Sequence, residues 1–337
     1  MVRRRPFRLQ PLITFIAALL LVWLLLKTDL KGILAAAGQI PVGLLLTLAG
    51  MQILTQLLLN FQWYRLCQVF GWPVSFLKLL VANSYGAVAD AITPGEKVGG
   101  ELVRLVQIRK FLGYSTGEAA ILLAIQKALS LSALVLLNLL VVVTMARHVS
   151  FLQAWPVRLF FLLLLIAVGA FLFFLLFRTG ALSRRLARVK TSRKWFLAFA
   201  NWVEEFARQT ETIRQKRGEC LFQLALAVLI WAIFPLKLVL LILPHTGSIP
   251  TLVLFGTAFL SYFAGMIPLL PGGLGTFEAA MSGILNAYGL ALNQAVAVTV
   301  VFRFITFWFV LLLSLLVIGG YRVFLFAQRR GVHASRE

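Results

Sequence analysis

PGEKVGGE, residues 94–101, and PGGLGTFE, residues 271–278, carry Pro, Gly and Glu in the same order at an offset of 177 (94 to 271, 101 to 278). Further along, Gly113 matches Gly289, Ala119 matches Ala295 and Lys127 matches Arg303 at an offset of 176. Proline removes a helical hydrogen bond and glycine admits left-handed backbone, so each segment should break a helix. Two breaks of one plan, each followed by a cation at nearly the same distance, predict a chain built from two like halves.

The surroundings of both breaks are lipid-like. Of 337 residues, 61% are hydrophobic and 13% charged, and the mean hydropathy of +0.94 exceeds what a water-soluble domain tolerates. Apolar runs at 12–26, 160–177, 221–243 and 296–319 approach or exceed the roughly 20 residues a helix needs to cross about 30 Å of hydrocarbon. With the rule that short cytoplasmic loops retain Lys and Arg, the chain threads as spans near 11–27, 42–64, 118–145, 157–177, 219–243 and 293–319, both termini cytoplasmic. The basic N-terminus imitates a signal peptide, but without a small-residue cleavage site its apolar run is read as the first span.

Segments 76–92 and 251–290 are read instead as re-entrant elements that enter the membrane and return. The predicted fold class is therefore an all-α polytopic membrane protein, about six full spans plus two re-entrant broken-helix elements. Three crossings per half force the second half to enter from the opposite face. The halves, 11–146 and 156–320, become an inverted repeat within one integral membrane domain, 1–337.

The net charge of +21 sits between the apolar runs, which points to anionic inner-leaflet phospholipids as partners and away from nucleic acid. Segment 178–217 alone carries eleven Lys or Arg. Within it Trp195, Phe199, Trp202, Phe206 and Ile213 recur at helical spacing, predicting an amphipathic helix on the inner leaflet, with a partner-docking surface as the alternative. Cys67 and Cys220 lack a CxxC or a nearby His cluster, so neither a metal site nor a disulfide framework is expected. No catalytic or nucleotide-binding motif is present, and no cofactor or enzymatic activity is expected.

Backbone freed from helical bonding at membrane depth is tolerated where it is buried in protein or lines a watery cavity. Pro94, Gly95, Gly99, Gly100, Pro271, Gly272, Gly273 and Gly275 are therefore read as hinges of the re-entrant elements. A helix restarting after Gly275, capped by Thr276, would aim N–H groups at an anion and favour Glu278 in its first turn. The plainer reading makes Glu278 a local cap.

Lys127 and Arg303 fall deep inside spans, where a lone cation costs at least ~2.5 kcal/mol on insertion scales. Glu101 and Glu278 are their natural partners, and Arg104 lies one turn beyond Glu101 on the same face. Glu101, Arg104, Lys127, Glu278 and Arg303 are thus the substrate-binding candidates, cations for a phosphate and carboxylates for any amine on it. The competing reading is a buried lock between the halves. Asp90 and Asn83 are weaker candidates, and Lys237 is expected to snorkel toward the outer interface.

These motifs, Thr93-Pro-Gly with GGELVR at 99–104 and PGGLGTFE at 271–278 followed by Gly289 and Arg303, resemble the lysylphosphatidylglycerol synthase transmembrane-region family. That group is also known as uncharacterised protein family 0104 and contains the flippase part of the multiple peptide resistance factor. The resemblance implies transmembrane helices with two re-entrant elements and transfer of phospholipids, aminoacylated ones among them, to the outer leaflet of a bacterial or archaeal cytoplasmic membrane. Larger members carry an aminoacyl-transferase domain. This sequence reaches Glu337 without one, so lysyl-lipid synthesis by the chain itself is not expected. Lysine at 127 departs from the arginine that the family pattern leads one to expect, keeping the charge but not a bidentate contact.

The function that best joins these readings is a flippase or scramblase moving a phospholipid or lipid-linked substrate along a polar path at the repeat interface. The alternatives are an intramembrane lipid-modifying enzyme with Glu101 or Glu278 as base, or a non-transporting partner of a separate synthase or glycosyltransferase. A homo-oligomer and a separately encoded lipid-modifying enzyme are the protein partners left open.

Overall fold

The computed structural model describes residues 35, 38, 40–93, 98–145, 155–189, 191–243, 249–267 and 271–334. Helix α1 (Val42–Val69) leads into α2 (Phe76–Ile92) and α3 (Val98–Leu112), which pack against each other across residues 93–97. Then follow α4 (Thr116–Met145), α5 (Trp155–Phe177), the short α6 (Thr179–Leu186), α7 (Lys194–Gln215) and α8 (Arg217–Ile242). Helices α9 (Thr251–Gly265) and α10 (Thr276–Ala287) form a second packed pair across residues 266–275. The chain closes with α11 (Leu292–Arg303), a π-helical turn (Phe304–Trp308) and α12 (Phe309–Ala334).

The protein is an all-α, multi-pass membrane protein. Among the described residues, helical stretches 42–69, 116–141, 217–242 and 292–328 are long and apolar enough to cross a bilayer. Residues 162–174 add a fifth if taken together with α6, against which they bend by 59°. Four of the expected spans thus fall on α1, α4, α8 and the α11–α12 helix, and the one at 157–177 falls on α5. The expected span at 11–27 lies outside the described residues, as do Pro94 and Gly95.

Local chemistry explains where the helices begin. Ser115 and Glu118 form a reciprocal capping box at α4: the Ser115 amide donates to Glu118 Oε2 (2.8 Å) and the Glu118 amide to Ser115 Oγ (3.2 Å). Gly113 and Gly289, the residues matched in the sequence, take φ of 78° and 94° just ahead of α4 and α11. Both helix pairs therefore end in the same left-handed turn before a long helix starts.

Two apolar clusters hold the helices. One gathers Trp63, Leu66, Ile108, Ile121 and Phe206, and the other Leu238, Phe259, Phe277, Met281 and Phe302. Each is dominated by one half of the chain, and α1 and α4 contribute to both. Buried amides stitch α1 to its neighbours: Gln62 donates to the Gln223 carbonyl (3.2 Å) and Gln126 donates to Gln62 (3.2 Å). At the ends of α1 and α8, Arg65 pairs with Glu219 at 2.9 Å.

Helix α7 divides its apolar stripe. Phe206 and Ile213 are buried in the first cluster and Trp202 packs against it, whereas Trp195 and Phe199 stay exposed, Trp195 at 65%. The C-terminal half is thus docked on the protein itself, and the N-terminal half presents its aromatic face outward.

Candidate functional site

A cavity of about 210 Å³ is lined by α1, α2, α3 and α4 together with α8, α9, α11, the π turn and α12. Its walls are largely apolar, with Trp231, Phe234, Tyr262 and Phe307, but charged side chains enter from four helices: Asp90, Arg104, Lys237 and Arg303.

In the first half Arg104 is held by two carboxylates, Asp90 at 2.9 Å and Glu101 at 3.0 Å. Glu101 also accepts from Lys127 Nζ at 2.9 Å. Asp90 accepts a further bond from the Gly100 amide (2.9 Å), so it ties α2 to the first turn of α3. That approach explains the glycines. A Cβ on Gly100 would collide with the Asp90 carboxylate, one on Gly99 with Thr93, and one on Gly86 with the stem of Arg104. Gly99 and Gly100, expected as hinges, lie in the first turn of α3, where they permit close packing.

In the second half Arg303 is 4% exposed. Its Nε lies 3.1 Å from Glu278 Oε1, its Nη2 donates to the Gly272 carbonyl, and its Cζ sits 4.5 Å and 4.4 Å from the ring centroids of Phe277 and Phe307. A guanidinium suits this place because it joins planar hydrogen bonding to stacking on aromatic faces. Phe307 reaches it from the π-helical turn that begins one residue after Arg303, a backbone irregularity common at functional positions.

The start of α10 differs from expectation. Gly275, at φ 84°, is the cap residue, and Thr276 begins the helix with its hydroxyl donating to the Gly273 carbonyl (3.1 Å). The Gly275 amide donates to Glu278 Oε2 at 2.6 Å. Glu278 is therefore a local cap and the counter-ion of Arg303 at once, one oxygen for each. Gly272 and Gly273, at φ 61° and 67°, turn the chain after Pro271, and a Cβ on Gly273 would strike the Gly265 carbonyl.

Of the five substrate-binding candidates, Arg104 and Arg303 line the cavity. Glu101 pairs with Arg104 and Glu278 with Arg303, and Lys127 pairs with Glu101; none of these three lines the cavity. Lys237, expected to snorkel outward, is buried at 1% exposure and lines the same cavity, its Nζ donating to Gln52 Oε1 and to Thr55 Oγ1 (3.2 Å). Gln52, Gln56 and Asn60, spaced by four, make a polar stripe along α1. The stripe passes from this cavity to a smaller one of about 110 Å³, which shares Gln56 and adds Asn83, Ser84 and Ser314. Among the described residues no group of three or more His, Cys, Asp or Glu comes together as metal ligands.

Residues 11–314 match the family model described as the lysylphosphatidylglycerol synthase TM region. The chain belongs to this family. Among its relatives is a UPF0104 membrane protein of Methanocaldococcus jannaschii, 22% identical over 273 residues, which are 76% of this chain and 78% of the relative. Another, from Pyrococcus horikoshii, is 24% identical over 285 residues, 78% of this chain and 83% of the relative. A third, from Methanothermobacter thermautotrophicus, is 24% identical over 237 residues, 67% and 70% of the two chains. As a member of the lysylphosphatidylglycerol synthase TM-region family, the chain carries both Pro-Gly-Glu segments and the cavity cations inside the matched residues.

Proposed function

We propose that the chain is a flippase or scramblase that carries a phospholipid head group, aminoacylated lipids included, between leaflets through the central cavity while the acyl tails remain in lipid. The observation that carries this reading is a cavity at the meeting of the two halves with Arg104 entering from one and Arg303 from the other. The family's name, with its lysyl-phospholipid synthase, supports a phospholipid as cargo.

Polar groups inside a membrane are expensive and mark substrate paths. The α1 stripe of Gln52, Gln56 and Asn60 lines the two cavities with polar groups that would face a head group. The element order supports an inverted repeat: α2, α3 and α4 are followed by α9, α10 and the α11–α12 rod with the same breaks and the same Gly113 and Gly289 turns. In this reading both helix pairs are re-entrant, both termini are cytoplasmic, and rocking of the halves exposes one site to each leaflet in turn. The exposed aromatic face of α7 rests on the anionic inner leaflet.

The test is reconstitution. Proteoliposomes containing the chain should move tail-labelled phosphatidylglycerol and lysyl-phosphatidylglycerol across the bilayer faster than protein-free vesicles, and Arg104→Met and Arg303→Met should remove most of the gain. Equal rates with and without protein for every phospholipid tried would refute the reading.

A further inference from the structure

Counting charges at the level of the cavity separates one residue from the rest. Arg104 faces Asp90 and Glu101, Lys127 faces Glu101, and Arg303 faces Glu278, all within 3.1 Å. Lys237 faces the neutral Gln52 and Thr55, and among the described residues no carboxylate lies within 4 Å of its Nζ. Lys237, at 1% exposure, is thus the most deeply buried of these basic groups, and its partners among the described residues are neutral.

We infer that Lys237, with Gln52 and Thr55, is the receptor for a singly charged phosphate oxyanion, the phosphodiester of a lipid head group, and that the incoming anion is the counter-ion of this buried amine. The inference rests on the transport reading and names the group of the cargo that is recognised.

Three features carry it. A buried ammonium without a counter-ion is strongly disfavoured, so it must either lose its proton or meet an anion. Lys237 lines the cavity rather than a closed core, so a group held in the cavity lies against it. Its partners are also turned the right way. Thr55 Oγ1 donates to the Met51 carbonyl (2.7 Å) and Gln52 presents its amide oxygen to Nζ, leaving the Gln52 NH2 as a neutral donor beside the ammonium. A compact ammonium with adjacent amide donors suits one diester oxygen pair, and the paired arginines then flank the rest of the head group.

The test uses the purified chain in detergent and reads thermal stabilisation and native mass spectra with phosphatidylglycerol, diacylglycerol of the same tails, and inorganic phosphate. The wild type should be stabilised by phosphatidylglycerol and not by diacylglycerol. Lys237→Met should weaken phosphatidylglycerol binding by about tenfold or more, the scale of one charge-assisted hydrogen bond, and Lys237→Arg should restore most of it. Lipid-free Lys237→Met should melt no lower than the wild type, because an unmatched buried charge has been removed; a purely structural lysine would lower it.

Stabilisation by phosphatidylglycerol but not by inorganic phosphate identifies the lipid head group as the source. Equal stabilisation by inorganic phosphate keeps the oxyanion receptor but overturns the lipid assignment. Undiminished phosphatidylglycerol binding by Lys237→Met overturns the inference while leaving transport standing. Lys237-dependent binding by a protein that moves no lipid overturns transport alone.

Discussion

The amide of Gly272 donates to the carbonyl of Thr93 at 3.2 Å, joining the turn after Pro271 to the end of α2. The Gly272 carbonyl in turn accepts from Arg303, so one glycine links the first half's helix end to the second half's cation. Its φ of 61° and its contact with the Phe307 ring leave no room for a side chain. Gly272→Ala should lower stability by roughly 1–3 kcal/mol, the range for a strained left-handed residue, read as a fall in melting temperature in detergent. An unchanged melting temperature would show that the two breaks are not mechanically joined there.

Glu278→Gln should keep the cap on Gly275, since an amide oxygen still accepts, while removing the charge that faces Arg303. Breaking a buried pair from one side costs on the order of 3–5 kcal/mol; with the Glu278 side chain 25% exposed the loss should be about 2–3 kcal/mol. The double variant Glu278→Gln, Arg303→Met should regain part of this stability and still fail in transport. Full transport by the double variant would make the pair a lock rather than part of the path.

Asp90→Asn should cost about 1–3 kcal/mol by weakening the bonds to Arg104 and the Gly100 amide. Because Arg104 would lose one of its two fixed carboxylates, lipid movement should fall by more than the stability loss explains. Parallel thermal melts and lipid-movement rates at matched protein amounts check this.

How much of this was legible in the sequence depends on the kind of signal. Long apolar runs and paired breaks announce the membrane class and the helix boundaries, because hydropathy and Pro-Gly chemistry act locally. The Glu101–Lys127 and Glu278–Arg303 pairs follow from the cost of a lone cation in lipid. Lys237 departs from the snorkelling expectation because snorkelling is judged from distance along the sequence to a span end, whereas its burial depends on α1 packing across α8. The spacing of Gln52, Gln56 and Asn60 inside an apolar run was the available clue to that face. Asp90 as the partner of Arg104 required knowing that α2 and α3 pack glycine to carboxylate. The π-helical turn at Phe304–Trp308 has no sequence signature.

Helix α7 offers a separation of roles along one stripe. Phe206, 1% exposed, should cost about 3–5 kcal/mol when changed to alanine. Trp195→Ala, on the exposed part, should change the detergent melting temperature by less than the equivalent of about 0.5 kcal/mol, while reducing the extra stability that anionic nanodiscs give over neutral ones. Comparable losses from both substitutions in detergent would mean the outward face is packed on protein.

The most direct measurement is the rate at which tail-labelled phosphatidylglycerol becomes accessible to a membrane-impermeant quencher in proteoliposomes, compared for wild type, Arg303→Met and Arg104→Met at equal reconstitution. A transport cavity with one cation from each half predicts rapid exchange by the wild type and a fall of at least about tenfold in each variant, the effect of removing one charge-assisted contact. Wild-type rates in both variants, with their folded state verified by thermal melts, would contradict it.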